Sequence, residues 1–466
     1  MNIIKKYYNL KMKIIFSFIL INIIFLIISN PIELRGIVEG FYGTPWTFED
    51  RVDLIKFSKE VNLNAYIYAP KDDLYHREQW RDPYPDEKLE ELKNLIALSI
   101  ENNIRFIFAV SPGIDLNYYG DKGEEDFNKL MIKLDSLYKI GCRDFAIFFD
   151  DITLQSDSGV NQAYFLNKLK DNLDSIYHDI NPLMTVPTEY WRTSMVDKRG
   201  NLKQYTSDFV NNLSKKIIVL YTGEEVVGDG LSDENYKKAT DIYQRELGIW
   251  WNYPVNDYLK NKRALGPIEK LPTLNVQSIF YNPMEQVQLS KISLATGADY
   301  ALSPSTYNAD ESWNKAIEKQ FGDLAPEMKI FAKHSRHMNN YSWAKVGPPD
   351  GPEFYEEGHN AIVAFTEKKE FHYTKLFDLI DEMEKAGNIL LENLSEEILK
   401  ECKPQLDQFV RISNADRIAA QSLQNGKLNS KLTNLRNEIK LFEREALISE
   451  ESGVKFIDEV IEVLNG

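Results

Sequence analysis

Residues 144–151, Asp-Phe-Ala-Ile-Phe-Phe-Asp-Asp, are a short apolar run that ends in two adjacent carboxylates. The apolar run follows Gly141, and a segment of this length and composition is typical of a buried β-strand. A buried strand does not account for Asp150 and Asp151, because an unpaired buried carboxylate is costly and is normally neutralised, paired or used. Two acids at the end of a strand suit general acid–base chemistry, with one ionised and one protonated. For the pair alone, a loop cap or a cation site is the alternative.

The composition is typical of a well-packed globular protein. The chain has 466 residues, which favours two domains over one, and its hydrophobic and aromatic contents are 43% and 12%. The formal net charge of -16 argues against nucleic acid and anionic membrane surfaces as partners. Cys142 and Cys402 lack metal or redox spacing, so we expect two buried thiols rather than a disulfide.

Residues 1–30 are predicted to be separate from the folded domains. Lysines at positions 5, 6, 11 and 13 precede an apolar run at residues 14–28, which is short for a membrane span. A signal peptide is the first interpretation, although no small-residue cleavage site follows. An uncleaved membrane anchor through residues 14–28 is the second. Both predict a protein that is secreted or anchored at the cell surface.

After this leader, short apolar runs alternate with longer amphipathic ones. Strands are predicted at residues 34–39, 64–69, 104–110, 144–149, 184–186, 217–221, 247–251 and 276–280. Helices are predicted between them, the first beginning at Thr47 with Asp50 in an approximate capping-box position. This alternation over about 300 residues predicts a (β/α)8 TIM barrel at residues 31–325. A doubly wound open sheet is the main alternative, but no glycine-rich phosphate turn follows the first strand.

Polar side chains lie at or just beyond the carboxyl ends of the predicted strands. They are Glu39, Lys71, Asp150, Asp151, Tyr190, Asn252 and Asn282. Active sites of TIM barrels are built at this face, so we expect these side chains to meet there.

The strand pattern stops after about residue 325. Helical periodicity with mixed charge follows at residues 371–394, 406–423 and 432–447. We therefore predict an all-α C-terminal domain at residues 326–466, and we name it as the candidate contact for a homodimer.

Five motifs, in this order along the chain, resemble those of glycoside hydrolase family 84. They are Arg35-Gly36-Ile37-Val38-Glu39-Gly40-Phe41-Tyr42-Gly43, Tyr68-Ala69-Pro70-Lys71-Asp72-Asp73, Ser111-Pro112-Gly113, Phe149-Asp150-Asp151-Ile152 and Pro187-Thr188-Glu189-Tyr190. That family contains the protein O-GlcNAcases and bacterial β-N-acetylglucosaminidases once called hyaluronidases. The resemblance covers residues 34 to about 325 closely and extends more loosely to the helical region.

The resemblance implies a role for each matched position. Asp150 would orient and polarise the 2-acetamido group of the substrate, and Asp151 would act as general acid and then general base. Gly40 and Lys71 would bind sugar hydroxyls, and Tyr190 would contact the acetamido oxygen or the oxazoline. Five further positions would form the walls of the acetamido pocket or fix the acetamido group and the 4- and 6-hydroxyls: Val186, Trp250, Asn252, Asp257 and Asn282.

The implied function is that of a retaining exo-β-N-acetylglucosaminidase. Such an enzyme hydrolyses terminal β-linked GlcNAc on glycoproteins or glycans by substrate-assisted catalysis through an oxazoline intermediate, without a carboxylate nucleophile. No cofactor is implied, and the six histidines show no metal-ligand spacing. The alternatives are a non-catalytic GlcNAc-binding protein on the same barrel and an endo-acting hyaluronidase.

Several of the residues assigned to the site also have a simpler, purely structural interpretation. Lys71 would pair at the surface with a neighbouring aspartate, Asp257 would cap a helix, and Tyr190 would be a core residue with a satisfied hydroxyl. Of the adjacent Trp250 and Trp251, we expect one to pack in the barrel wall and the other to face the pocket.

Overall fold

The computed structural model describes residues 31–274, 276–341 and 343–465, and its centre is a closed barrel of eight parallel strands. The strands are β1 (Leu34–Glu39), β2 (Ala65–Tyr68), β3 (Arg105–Val110), β4 (Asp144–Phe148), β5 (Met184–Val186), β6 (Ile218–Tyr221), β7 (Gly248–Trp251) and β8 (Ser278–Tyr281). Each strand pairs with the next, and β8 closes the barrel by pairing with β1, with Ser278 opposite Leu34. The predicted barrel is confirmed, and the open-sheet alternative is wrong.

Helices follow most strands and cover the outside of the barrel. They are α1 (Phe48–Glu60), α2 (Asp86–Glu101), α3 (Gly120–Lys139), α4 (Ser158–Ile176), α5 (Arg192–Met195), α6 (Gln204–Asn212), α7 (Asp233–Tyr243) and α8 (Val287–Leu302). The predicted start of α1 is confirmed, because Thr47 and Asp50 form a complete capping box. Between β7 and β8, a long loop takes the place of a helix.

The strands are buried on both faces, which explains their continuous apolar runs. Val38, Ala146 and Phe280 belong to a core inside the barrel, whereas the alternate side chains pack against the helices. Trp250 lies in the inner core and Trp251 in the outer one, as the sequence analysis expects of this pair. Both cysteines are buried and free, which confirms that prediction.

The C-terminal region is helical, with one exception. Its helices are α9 (Ala309–Phe321), α10 (Ala325–Lys333), α11 (Pro352–Thr366), α12 (Thr374–Asn393), α13 (Glu396–Asn425), α14 (Ser430–Phe442) and α15 (Lys455–Asn465). Two short antiparallel strands, β9 (Met338–Tyr341) and β10 (Ala344–Val346), interrupt them. The all-α prediction missed this hairpin because strands of three or four residues are too short to show a period. The division of the chain at residue 325 stays a prediction.

A buried ion pair joins the β7–β8 loop to the C-terminal region. The Lys262 ammonium lies 2.6 Å from Asp350 and 3.0 Å from Glu450. The second oxygen of Asp350 accepts hydrogen bonds from the backbone N–H groups of Arg336 and His337, at 2.6 and 2.8 Å. A buried charge without its partner costs about 3–5 kcal/mol, so this pairing fixes the loop against the helices.

The predicted signal peptide or anchor at residues 1–30 lies outside the described residues. Across residues 31–274, 276–341 and 343–465, no helix combines the length and apolar character needed to cross a membrane.

One buried carboxylate in α13 lacks a hydrogen-bond partner among the described residues. Asp416 is fully buried, and neither of its oxygens has a hydrogen-bond partner in the described part of the chain. Burial raises the pKa of Asp416 well above its ordinary value. The folded protein therefore binds this proton more tightly than the unfolded chain does, and the cost to stability grows as the pH rises above about 3.9.

We predict that Asp416→Asn raises the free energy of unfolding at pH 8 by about 1 kcal/mol or more, with a smaller gain at pH 5. Urea unfolding at the two pH values measures this difference. Asp407→Asn is the matched control, because Asp407 lies on the same helix, is 42% exposed and pairs with Lys403. Its effect should stay within about 0.5 kcal/mol. A loss of stability in Asp416→Asn at pH 8 would contradict the prediction.

Candidate active site

A cavity of about 590 Å³ opens at the carboxyl ends of the barrel strands. All ten residues to which the family resemblance gives a role line it: Gly40, Lys71, Asp150, Asp151, Val186, Tyr190, Trp250, Asn252, Asp257 and Asn282. Glu39, which was also expected at this face, is buried and is not among the lining residues. Most of the ten lie at the end of a strand or within four residues beyond it, so the barrel closure brings together positions far apart in sequence.

Asp150 follows β4 and is buried at the cavity wall. One oxygen, Oδ2, forms an ion pair with the ammonium of Lys71, which follows β2. The other oxygen, Oδ1, is buried and has no hydrogen-bond partner among the described residues. A buried carboxylate oxygen that lacks a donor at a cavity wall is suited to accept an N–H or O–H group from a ligand.

Lys71 does not form the surface pair that its sequence neighbours suggested. Asp72 accepts the backbone N–H of Gly43 at 2.8 Å, and Asp73 accepts the hydroxyls of Tyr68 and Tyr84 at 2.8 and 3.0 Å. The ammonium of Lys71 is thus left for Asp150, and the simpler interpretation of this lysine is wrong.

Asp151 has a different backbone and different partners from its neighbour. Its φ angle is +56°, in the left-handed region that non-glycine residues rarely adopt and that recurs at functional sites. Its Oδ2 accepts the hydroxyl of Tyr42 at 2.7 Å, and its Oδ1 accepts the hydroxyl of Tyr190 at 2.8 Å. Both carboxylate oxygens of Asp151 therefore accept a phenol O–H group.

The two phenols remain protonated at neutral pH. Burial raises the pKa of Tyr42 and of Tyr190 well above the ordinary value, and the negative charge of Asp151 raises both further. Tyr190 is buried in the core inside the barrel and its hydroxyl is satisfied by Asp151, as its simpler interpretation expects, and the same residue also lines the cavity.

Two amides form one side of the cavity. Asn252 Oδ1 accepts the indole N–H of Trp250 at 2.8 Å and the Nδ2 group of Asn282 at 3.0 Å. The backbone N–H of Gly40 donates to Asn282 Oδ1 at 3.3 Å. These contacts orient both amides, whose remaining N–H groups suit sugar hydroxyls and acyl oxygens.

Aromatic rings supply the apolar walls. The ring of Trp250 packs edge-on against Phe148, with 5.4 Å between centroids, and the Lys71 ammonium lies 5.7 Å from the Trp250 ring. Val186 lines the same cavity. Small-molecule sites commonly combine such walls with a few fixed polar groups.

The β7–β8 loop closes another side of the cavity. Asp257 Oδ2 accepts the backbone N–H of Tyr42 at 2.8 Å, and burial raises the pKa of Asp257 above its ordinary value. No helix begins in the described loop after Asp257, so its interpretation as a helix cap is wrong. Tyr258 packs edge-on against Trp343 of the C-terminal hairpin, with 5.4 Å between ring centroids.

Several lining residues have no role in the sequence analysis. They are Tyr42, Trp191, Thr222, Glu225, Val226, Val227, Val255, Tyr258 and Trp343. Tyr42 lies inside a quoted motif, so its position next to Gly40 was an available signal. Trp343 comes from a hairpin about 60 residues beyond β8, and no local pattern points from there to the barrel.

Two polar residues near the strand ends have structural partners instead. Glu39 is fully buried and accepts hydrogen bonds from Arg51 at 2.7 and 2.9 Å. His76 is also buried; its ring nitrogens contact the Ala109 carbonyl at 2.8 Å and the Ser111 hydroxyl at 3.1 Å. Burial lowers the pKa of His76 to about 3, so its imidazole is neutral.

Two family models match the chain. The one described as beta-N-acetylglucosaminidase matches residues 35–333, and the one described as hyaluronidase post-catalytic domain-like matches residues 363–457. The protein O-GlcNAcase of Mus musculus is 33% identical over 281 residues, which are 57% of this chain and 30% of the mouse protein. That of Rattus norvegicus is 32% identical over the same shares. The chain therefore spans 30% of the length of these curated relatives.

Two solved structures are similar along nearly the whole chain. The structure of CpGH84B has a TM-score of 0.85 at 38% identity and covers 93% of this chain and 78% of that one. A mutant of the O-GlcNAc hydrolase of Thermobaculum terrenum has a TM-score of 0.79 at 27% identity and covers 93% and 94%.

We predict that Gly40→Ala impairs ligand binding by displacing Trp250. A Cβ atom at position 40 would lie 2.2 Å from Cζ2 of Trp250, a contact that no side chain can tolerate. We expect the KM for an aryl GlcNAc glycoside to rise by about tenfold or more, which corresponds to about 1.4 kcal/mol. Steady-state kinetics measure this change.

Gly228→Ala is the matched control for this substitution. Gly228 lies in the β6–α7 loop, and a Cβ atom there would meet nothing nearer than 3.7 Å. Its KM should stay at the wild-type value. An unchanged KM in folded Gly40→Ala would show that Trp250 does not border the sugar.

Proposed function

The chain belongs to the β-N-acetylglucosaminidase family, glycoside hydrolase family 84, and we propose that it removes terminal β-linked GlcNAc with help from the substrate's own acetamido group. One observation carries the mechanistic part of this proposal: the buried Oδ1 of Asp150 has no donor in the described residues, although it lies at the wall of a polar, aromatic-lined cavity. The acetamido N–H of GlcNAc is a donor of the required kind.

In the first step, the acetamide carbonyl oxygen attacks the anomeric carbon of the sugar. Asp150 accepts the acetamido N–H, which orients this nucleophile and stabilises the positive charge that develops on the oxazoline ring. Asp151 gives its proton to the glycosidic oxygen, and the aglycone leaves as an alcohol. In this mechanism the protein forms no covalent bond with the sugar, because the acetamide of the substrate is the nucleophile.

In the second step, Asp151 accepts a proton from water, and that water attacks the anomeric carbon. The oxazoline opens, the acetamido group is restored, and the β-configuration is retained. The left-handed backbone at Asp151 supports this division of roles, because it gives the two neighbouring acids separate partners.

The fixed loop on one side of the cavity supports exo-action. The β7–β8 loop is hydrogen-bonded to the β1 loop through Asp257 and packs on the C-terminal hairpin through Tyr258. The Lys262 ion pair holds the same loop. A fixed wall on this side favours one terminal sugar over an internal residue of a polymer, and so disfavours an endo-acting hyaluronidase.

We propose GlcNAc-bearing glycoproteins or glycans as the substrate class. The similar mouse and rat proteins are protein O-GlcNAcases, and the Thermobaculum terrenum protein is an O-GlcNAc hydrolase. The leader pattern of residues 1–30 supports substrates outside the cell. The homodimer contact through residues 326–466 is a proposal that rests on sequence alone.

We predict that kcat/KM for aryl GlcNAc glycosides falls steeply as the N-acetyl group is fluorinated. Fluorine withdraws electrons from the carbonyl that attacks the anomeric carbon, so N-trifluoroacetyl substrates should react on the order of 100-fold more slowly, about 2.7 kcal/mol in barrier. Asp150→Asn should lose about 100-fold or more with the N-acetyl substrate, since it removes the negative charge that stabilises the positive charge developing on the oxazoline ring.

Rates that do not respond to fluorination would exclude acetamido participation. Folded wild-type protein that binds GlcNAc without turning over any glycoside would instead establish the non-catalytic binding protein. The control is Asp72→Asn, because Asp72 is an exposed neighbour of Lys71 that accepts a loop N–H group.

We predict that a β-linked GlcNAc oligomer labelled at its reducing end is shortened by one sugar at a time. Because the β7–β8 loop forms a fixed wall on one side of the cavity, we expect the site to take the non-reducing end, so chromatography should show free GlcNAc and the labelled chain one unit shorter. Larger fragments as first products would contradict exo-action.

A further inference from the structure

Arg77, in the loop after β2, contacts the general acid by two routes. Its Nη1 group donates to the hydroxyl of Tyr42 at 2.6 Å, and that hydroxyl donates to Asp151 Oδ2 at 2.7 Å. Its Nη2 group donates to the backbone carbonyl of Asp151 at 3.1 Å. The guanidinium also lies 5.7 Å from the centre of the Tyr42 ring. One planar group thus touches both the side-chain partner and the backbone of Asp151.

We propose that Arg77 is a positioning residue that, through Tyr42, determines which oxygen of Asp151 carries the catalytic proton. This inference rests on the proposed function, in which Asp151 is the general acid. It adds a residue that lines no part of the cavity and that acts through its neighbours.

The direction of the hydrogen bonds from Arg77 to Tyr42 and from Tyr42 to Asp151 determines where the acid proton lies. Arg77 is a donor only, so the Tyr42 oxygen accepts from it and the Tyr42 proton points to Asp151 Oδ2. An oxygen that already accepts this bond is the poorer place for the acid proton. The proton of Asp151 therefore belongs on Oδ1.

Substrate binding frees that second oxygen. Without ligand, Oδ1 accepts the hydroxyl of Tyr190 at 2.8 Å. When Tyr190 turns to the acetamido or oxazoline oxygen, Oδ1 becomes available to hold the proton next to the glycosidic bond. Tyr42 stays in place because Arg77 holds it from the other side.

The contact of Arg77 with the backbone of Asp151 also helps to position the carboxyl group. A left-handed conformation at a non-glycine residue costs roughly 1 kcal/mol and persists only where surrounding contacts impose it. The bond from Arg77 Nη2 to the Asp151 carbonyl is such a contact. It fixes the direction in which the carboxyl group leaves the chain.

Charge makes the arrangement sensitive to pH. The groups that face Asp151 are Tyr42 from the β1 loop, Lys71 and Arg77 from the β2 loop, Asp150, Tyr190 from the β5 loop and Asp257 from the β7–β8 loop. Arg77→Met removes a positive charge from this cluster, so the basic limb of the rate profile should move upward.

The test compares Arg77→Met, Arg77→Lys, Tyr42→Phe and the double variant Tyr42→Phe/Arg77→Met on aryl GlcNAc glycosides. Departure of a poor leaving group requires a proton from the general acid, whereas departure of an activated dinitrophenyl group depends on that proton little. We expect Arg77→Met to lose about 10–100-fold in kcat/KM with poor leaving groups and less than about threefold with dinitrophenol. Asp151→Asn removes the general acid itself and therefore gives the largest dependence on the leaving group that can be expected.

Three further readouts separate positioning from general structural support. The pH at which kcat/KM falls on the basic side of its profile should rise by about half a pH unit or more in Arg77→Met. In Arg77→Lys, which keeps the charge, it should stay near the wild-type value. Tyr42→Phe should show the same leaving-group pattern. The double variant should lose little more than the single ones, because both act on one oxygen.

Arg81→Met is the matched control. Arg81 lies four residues after Arg77 and forms ion pairs with Asp115 and Asp126, at 2.6 Å each. Its loss should lower stability without changing the leaving-group pattern or the pH profile.

The proposal is overturned if Arg77→Met loses the same factor in kcat/KM with every leaving group while the basic limb of its pH profile does not move. It is also overturned if Arg77→Met loses no activity. If Arg77→Met does not fold, Tyr42→Phe decides by the leaving-group pattern, since it keeps the ring and removes only the hydroxyl that contacts both Arg77 and Asp151. Failure of the proposed function is distinguishable, because it appears in the wild-type protein as an absence of turnover or of sensitivity to N-acyl fluorination.

Discussion

The pairing of Lys71 with Asp150 at the mouth of the barrel is the interaction on which the site depends. Two consecutive carboxylates, Asp150 and Asp151, follow β4. Because they repel each other in a partly buried cavity, each needs its own stabilising partners. Lys71 compensates Asp150 from the neighbouring β2 loop, while two phenols bind Asp151 after a left-handed turn of the backbone. One acid is thereby fixed with a single oxygen left for a ligand donor, and the other can exchange a proton.

The C-terminal region is part of this arrangement. The β7–β8 loop, which contributes Asp257 to the cavity, is held by the buried pair of Lys262 with Asp350. The hairpin of β9 and β10 places Trp343 at the rim, where it packs on Tyr258. The barrel supplies the chemistry and the helical region supports one wall, so loss of the Lys262 pair would loosen the site from a distance.

Much of the site could be predicted from sequence because each strand end is a local signal. An apolar run shows where a strand ends, and the parallel closure of the barrel brings those ends together, which is why Lys71, Asp150 and Asn282 meet. Glu39 shows the limit of this reasoning: it also ends a strand, but it is buried against Arg51. The side of the strand on which a terminal residue points depends on packing that a short pattern does not report.

The contacts between loops could not be predicted for a different reason. Arg77 reaches Tyr42 and Asp151 only because three loops adopt particular conformations, and none of the three residues is at a spacing that marks the contact. The left-handed backbone at Asp151 is likewise a response to these partners. Trp343 joins the site through a hairpin whose strands are too short for a periodic signal.

The most direct test of the account is a crystal structure of the protein with a thiazoline analogue of the cyclised GlcNAc intermediate. We expect the ring nitrogen to be protonated in the complex and to donate to Asp150 Oδ1 at about 2.7–3.2 Å, with the sugar between Trp250 and the amides of Asn252 and Asn282. An analogue bound elsewhere, or bound in the cavity with Oδ1 of Asp150 still lacking a donor, would contradict it.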